Sequence, residues 1–189
     1  MSEVSDRERW NQRYSQKNSV GKPSDFVSKV IEILKDEPRL RVADLAGGAG
    51  RNALGFAEKG FPVSLFDVSD IALRLANEHF EKSGLSLDGS YLRNLEIEGI
   101  PEQDFSIYFV FHYLNREIFA QVREQAKSGS FLCYCQPTEL NLEKHPRPSK
   151  RFLLKPGEMS DLSKGFEKLY FSEDWFETRH EARAILRVV

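Results

Sequence analysis

Asp44, Gly47, Gly48 and Gly50 stand close together in the stretch VADLAGGAGRN (residues 42–52), a spacing that suits a loop receiving a ligand. Glycine lacks a Cβ, so the backbone can turn tightly and approach a bound molecule. The loop follows an apolar run and opens a helical pattern, and the first turn of a helix offers N–H groups with no partner of their own. A second acid, Asp67, comes 17 residues after Gly50, at the end of VSLFD (residues 63–67). A carboxylate there can accept hydrogen bonds from both hydroxyls of a ribose. The plain alternatives are a tight turn without a ligand and an N-cap duty for Asp67, although Ser69 or Asp70 can supply that cap instead. A dinucleotide loop usually reads Gly-x-Gly-x-x-Gly. Here Asp44 and Ala46 precede Gly48 and Gly50. An acid at the strand end repels a pyrophosphate and orients a cationic amino-acid group. The chemistry indicated is capture of a nucleoside that carries an ammonium group and no phosphate.

Those residues need strand tips and helix starts to hold them. Residues 5–17 read as a helix, with Trp10, Arg13 and Tyr14 on one face. Residues 18–23 form a turn-rich break. A second helical stripe (Phe26, Val27, Val30, Ile31, Ile33, Leu34) starts at a cap on Ser24 or Asp25 and stops before Pro38. Strands are predicted at 40–45, 62–66, 90–92, 104–111 and 130–135, and helices at 52–59, 69–82 and 116–127, with Gly60 and Gly84 as stops. Alternating strands and helices imply a mostly parallel sheet covered by helices on both faces, an α/β Rossmann-like architecture. The tail differs: strands at 166–171 and 182–188, separated by a short segment at 173–177, give an antiparallel C-terminal hairpin.

With 189 residues, 40% hydrophobic and 30% charged, the chain reads as one globular domain over 1–189. A net charge of -2 lacks the basic excess of a general nucleic-acid binder, so no nucleic-acid partner is expected. The polar start MSEVSDRERW has no apolar core of a signal peptide, and no apolar run reaches the roughly 20 residues that span a bilayer. The expectation is a cytoplasmic protein without a membrane partner, monomer or homodimer. Cys133 and Cys135 read as small apolar residues of a buried strand. No metal site is expected, because no further ligand lies in register with them.

Asp44 to Asn52 resembles motif I of class I S-adenosylmethionine-dependent methyltransferases. More narrowly it resembles the tellurite-resistance (TehB-like) and thiopurine-methyltransferase-like branch, whose loop usually reads D-L-x-C-G-x-G-R-N. Other stretches fit in order along the chain: WNQRY (10–14), FDVS (66–69) followed by Ala72 and Leu73, FLLKPGE (152–158) and TRHEAR (178–183). The resemblance implies a Rossmann-like methyltransferase fold with S-adenosyl-L-methionine as cofactor and S-adenosyl-L-homocysteine as product. It implies that Asp44, Gly48 and Gly50 face the methionine part, that Ala46, Gly47 and Asn52 also bind the cofactor, that Asp67 holds the ribose, and that Val68 packs on the adenine. Residues 1–36 become a helical cap in which Arg13 and Tyr14 close over the cofactor, Arg13 pairing with its carboxylate. Three positions depart from the pattern. Gly47 replaces a usual Cys, which is expected to be tolerated. Asn94, followed by Leu95, stands where an acid often meets the adenine amino group, and its amide oxygen can still accept. Ser106 replaces an Asp of the fourth strand.

Methyl transfer from a sulfonium needs an aligned nucleophile more than a fixed triad. His112 and Arg116, after the fourth strand, and His180 in the tail are the candidate catalytic residues. His112 can orient or deprotonate an acceptor, although a lone histidine is more often structural. Tyr113, Arg147, Arg151 and Arg179 are candidate substrate residues. The long basic loop at 137–158, which also carries His145 and Lys155, reads either as a solvated stretch or as a substrate-side lid attracting an anion. The expected acceptor is a small molecule, anionic or a thiol or chalcogen compound. A cofactor-binding protein without transfer activity is the alternative that Asn94 and Ser106 keep open. A nicotinamide oxidoreductase is disfavoured by Asp44, and nucleic-acid or protein methylation by the acidic balance.

Overall fold

Apolar strands alternate with amphipathic helices in both halves of the chain, and the alternation comes from where each strand's residues must hide. A computed structural model describes residues 5–16, 20–37 and 40–189. Lys17, Asn18 and Pro38, assigned above to a helix end, a break and a stop, lie outside the described residues. The chain divides into two units, Met1–Gly99 and Ile100–Val189.

The first unit holds α1 (Asp6–Ser15), α2 (Asp25–Leu34), β1 (Val42–Leu45), α3 (Arg51–Ala57), β2 (Val63–Asp67), α4 (Asp70–Lys82), β3 (Gly89–Leu92) and the short α5 (Leu95–Glu98). β1 runs parallel to β2 with Val42 opposite Val63, and β2 runs parallel to β3 with Ser64 opposite Gly89. Every residue of β1 and β2 is buried, as expected of parallel strands covered on both faces. Asp44 and Asp67 are the only acids in these two strands, and each lies near a carboxyl end. α2 starts at Ser24, whose side chain accepts from Phe26 N–H, and buries Phe26, Val27, Val30 and Leu34. α1 buries no residue. A capping box between Ser5 and Glu8 secures its start. Polar ties dock it: Arg7 Nε and Asn11 Nδ2 donate to Asp70 (2.9 and 2.8 Å), and Ser69 Oγ donates to Asn11 Oδ1 (2.6 Å).

The second unit holds β4 (Ile107–Phe111), α6 (Glu117–Gln125), β5 (Phe131–Pro137), single 3-10 turns at Glu139–Glu143 and Lys150–Phe152, α7 (Glu158–Leu162), β6 (Phe166–Phe176) and β7 (Arg179–Val188). β4 and β5 are parallel; β7 runs antiparallel to both β5 and β6 and lies between them. The antiparallel tail is therefore present, but its break is not at 173–177. β6 continues to Phe176, and the turn is only Glu177 and Thr178, with Glu177 in the left-handed region (φ 54°). β6 pairs on one side only and carries Ser172, Glu173 and Asp174, so its polar edge hides the strand from a hydrophobicity reading. The 137–158 stretch is structured. Leu154 N–H donates to Pro137 O, Glu139 N–H donates to Leu154 O, and Leu153 and Leu154 are buried. No helix among the described residues is long and apolar enough to cross a membrane.

Candidate active site

In the first unit β1 ends in a loop with three left-handed residues, Ala46, Gly48 and Gly50 (φ 55°, 59° and 77°). A Cβ on Gly48 would overlap the Tyr14 hydroxyl, so α1 lays that ring directly on the loop. Gly50 caps α3, and a Cβ there would meet Ala76 of α4 at 3.0 Å; this glycine serves helix packing. A Cβ on Gly47 would collide with Leu65 and the Asp44 carboxyl, which fill the space a cysteine would need.

Asp44 is 1% exposed. Burial pushes its carboxyl up to about 7, with the charge of Asp67 adding to the rise and Ala53 N–H and Arg51 opposing it. Its Oδ2 is buried with no hydrogen-bond partner. Such a group costs free energy unless something pairs with it. Asp67 is oriented by two backbone donors, Gly48 N–H to Oδ2 and Ser69 N–H to Oδ1, both 2.8 Å. The cap of α4 is Ser69, whose side chain accepts from Ala72 N–H, so Asp67 is spared that duty. Burial and the charges of Asp67 and Asp44 raise the Tyr14 hydroxyl well above its usual value. Arg13 lies 5.0 Å over the Trp10 ring, and Val68 is half-buried. The arrangement is a pair of carboxyls under a phenol, suited to a cation and a polyol.

Two candidates of this unit are committed elsewhere in it. Asn52 Oδ1 accepts from Ser24 N–H at 2.9 Å, fastening α2 to α3. Asn94 caps α5, its Oδ1 accepting from Glu96 N–H, and Leu95 is buried behind it.

In the second unit a polar cluster forms where β4 ends beside the start of β7. His112 adopts the left-handed region (φ 58°), its N–H donates to Cys135 O, and its ring stacks on Phe111 at 3.9 Å. Nε2 lies 2.6 Å from Glu181 Oε1, and Arg179 Nη1 lies 3.2 Å from Nδ1. Arginine only donates, so Nδ1 accepts and Nε2 carries the proton toward Glu181. The other Glu181 oxygen accepts from Arg183 Nε (2.9 Å), Arg183 Nη2 (2.8 Å) and Cys135 Sγ (3.3 Å). Burial works to raise the Glu181 carboxyl, but His112 and then Arg183 outweigh it and bring it down to about 2. Cys135 thus gathers His112 and Glu181 within 4.8 Å, ligand types that its sequence neighbourhood does not contain. The Arg183 guanidinium already neutralises the shared carboxylate.

His112 and Arg179 come together; His180 does not join them. Neighbouring residues of a strand point to opposite faces, and His180 Nδ1 meets Thr138 Oγ1 at 2.8 Å while its ring stands edge-on to Trp175. Arg116 is held bidentately by Glu158 at the start of α7. The Tyr113 carbonyl accepts from the Tyr134 hydroxyl, and its own hydroxyl accepts from Asn115 Nδ2. Arg147 is exposed, and Arg151 lies over the Phe152 ring. Glu181 escaped the sequence reading, although it sits inside the TRHEAR phrase. Asn11 and Glu158 escaped it as well.

The family described as tellurite resistance protein TehB matches residues 7–184. No curated protein matches the chain. Among solved structures, TehB from Haemophilus influenzae superposes with a TM-score of 0.73 at 20% identity, over 95% of this chain and 67% of that one. The CcbJ methyltransferase from Streptomyces caelestis gives 0.69 at 14% identity, over 95% and 96%. Magnesium protoporphyrin IX methyltransferase from Synechocystis PCC 6803, crystallised with bound S-adenosylhomocysteine, gives 0.65 at 16%, over 99% and 90%. The fold is the Rossmann-like methyltransferase fold, mostly parallel with an antiparallel C-terminal hairpin. The chain belongs to the TehB family and is a class I S-adenosylmethionine-dependent methyltransferase.

Proposed function

We propose that the Gly-rich loop of the first unit holds S-adenosylmethionine and that its methyl group passes to a small acceptor. One observation carries the cofactor half: the buried, unpartnered Oδ2 of Asp44. A phosphate-free nucleoside with an ammonium group supplies the missing charge and donor. When bound, it provides a methyl group on a cationic sulfur, a leaving group that needs no acid.

The chain's residues then divide the work. Asp44 takes the ammonium. Asp67, oriented by Gly48 and Ser69, takes the ribose hydroxyls, since a carboxylate accepts about four hydrogen bonds in all. Tyr14 lies over Gly48 as the cap, Arg13 reaches the carboxylate, and Val68 packs against the base. Asn94 keeps its NH2 group for polar contact, its oxygen being engaged by Glu96. Asn52 supports α2. On the acceptor side, Arg179 and His112 present polar groups together, whereas Arg116 and His180 are tied to Glu158 and Thr138.

Calorimetry with S-adenosylhomocysteine tests the cofactor half. Binding is expected, and Asp67→Ala should weaken it by about 1–3 kcal/mol, the cost of a lost buried hydrogen-bond partner. Unchanged affinity in that variant removes Asp67 from the site. Ser106, immediately before β4, favours the second reading, a binder that does not transfer. Mass-spectrometric detection of any methylated acceptor ends that reading.

A further inference from the structure

We propose that His112, Cys135 and Glu181 bind one borderline-soft divalent cation, of the zinc class, at a site contained within residues 100–189. The inference goes beyond methyl transfer and does not depend on it. Three strands bring the ligands together. Cys135 of β5 stands opposite Arg183 of β7, and Glu181 lies two residues from Arg183 on the same strand, so all three side chains share one face of the sheet. His112 follows β4, and its N–H donates to Cys135 O at 2.9 Å, which ties it to β5. Its φ of 58° is uncommon for a residue with a Cβ. That backbone turn brings Nε2 to 2.6 Å from Glu181 Oε1. Cys135 Sγ lies 3.3 Å from Glu181 Oε2, and one ligand atom from each residue falls within 4.8 Å of the other two.

Zinc bonds of roughly 2.0–2.3 Å in a tetrahedral shell set ligand atoms about 3.5 Å apart. The observed spacings fall on both sides of that value, so side-chain rotation closes the set. A sulfur, an imidazole nitrogen and one carboxylate oxygen suit zinc and cobalt, and differ from the all-oxygen shell that magnesium and calcium take. Three protein ligands leave a fourth position open. Cys135 and Glu181 are buried, and Arg183 orients the carboxylate from behind, its Nε (2.9 Å) and Nη2 (2.8 Å) donating to Oε2. Metal-binding carboxylates are held in this way. The Arg183 guanidinium is itself packed on the Phe176 ring. The protons balance. The Cys135 thiol proton leaves for solvent as the sulfur–metal bond forms, since thiolate is the ligand. The Nε2 proton of His112 moves to Nδ1, and the exposed Arg179 side chain releases that nitrogen. Thiolate and carboxylate then match the two charges of the ion. Arg183 adds a positive charge beside it, which keeps the affinity below that of a closed four-ligand site.

The full chain, stripped with a chelator and titrated with Co2+, tests this. One cobalt per chain is expected, with a thiolate-to-cobalt charge-transfer band, and Zn2+ should displace it while Mg2+ does not. Cys135→Ser should abolish the band. Cys133→Ser, an equally buried position of β5 outside the cluster, should keep it. His112→Asn, a side chain that tolerates the left-handed backbone, should weaken Zn2+ binding by more than the roughly 10-fold that losing a group behind a ligand costs. No band in wild type, an unaltered band in Cys135→Ser, or unchanged Zn2+ affinity in His112→Asn overturns the proposal. Should Cys135→Ser fail to fold, the wild-type band and His112→Asn still decide. Calorimetry with S-adenosylhomocysteine on the same samples reports on the cofactor reading separately.

Discussion

Asp44 shows how one buried carboxyl can link ligand binding to protons. Its carboxyl, raised from 3.8 to about 7, is protonated in much of the ligand-free protein at neutral pH. An ammonium ligand needs the ionised form. Affinity for S-adenosylhomocysteine should therefore fall as pH drops below about 7, and binding at pH 7 should release a proton, read by calorimetry in buffers of different ionisation enthalpy. The stability sign follows from the same shift. Between pH 3.8 and about 7 the native state binds more protons at this site than the unfolded chain, so this contribution to ligand-free stability falls as pH rises through that window. Asp44→Asn should flatten that fall in a melting-temperature profile. Gly48→Ala tests the neighbouring loop. A side chain at φ 59° and a clash with the Tyr14 hydroxyl should cost about 1–2 kcal/mol and weaken cofactor binding. Adding Tyr14→Ala should restore part of the stability and none of the strain. These acids and glycines were legible in the sequence because their spacing is local. His112 with Glu181 was not, because their meeting depends on how β4, β5 and β7 are registered.

At the scale of elements, α1 is the weak point. None of its residues is fully buried, and it is held by Asn11 and Arg7 on the N-terminal turn of α4. Asn11→Ala should cost roughly 1 kcal/mol of docking. Amide exchange should then quicken across Asp6–Ser15 while β1 and β2 stay protected, and S-adenosylhomocysteine should bind more weakly as Tyr14 leaves Gly48. Helix periodicity revealed α1, α2 and α4 well. The four-residue α5 and five-residue α7 are too short for any period to show. Edge strand β6 lost its signal to its own polar residues, which is why the hairpin appears longer than its hydrophobic pattern suggested.

At the scale of the whole molecule, the α/β class and the antiparallel tail followed from the order of strand and helix signals, and the structure bears both out. The long 137–158 stretch showed no period, yet its fold rests on backbone pairing between Pro137, Glu139 and Leu154 and on two buried leucines. Such pairing is non-local and leaves no local mark.

Cys133 and Cys135 are the chain's only cysteines, both unpaired, both buried on β5, and both pushed upward in thiol acidity by their burial. Neither can meet a reagent until the strand they share is uncovered. The rate at which a maleimide labels the native protein is thus an internal clock for the opening of the structure around β5. Running that reaction with S-adenosylhomocysteine present and absent would reveal whether a bound ligand slows the clock.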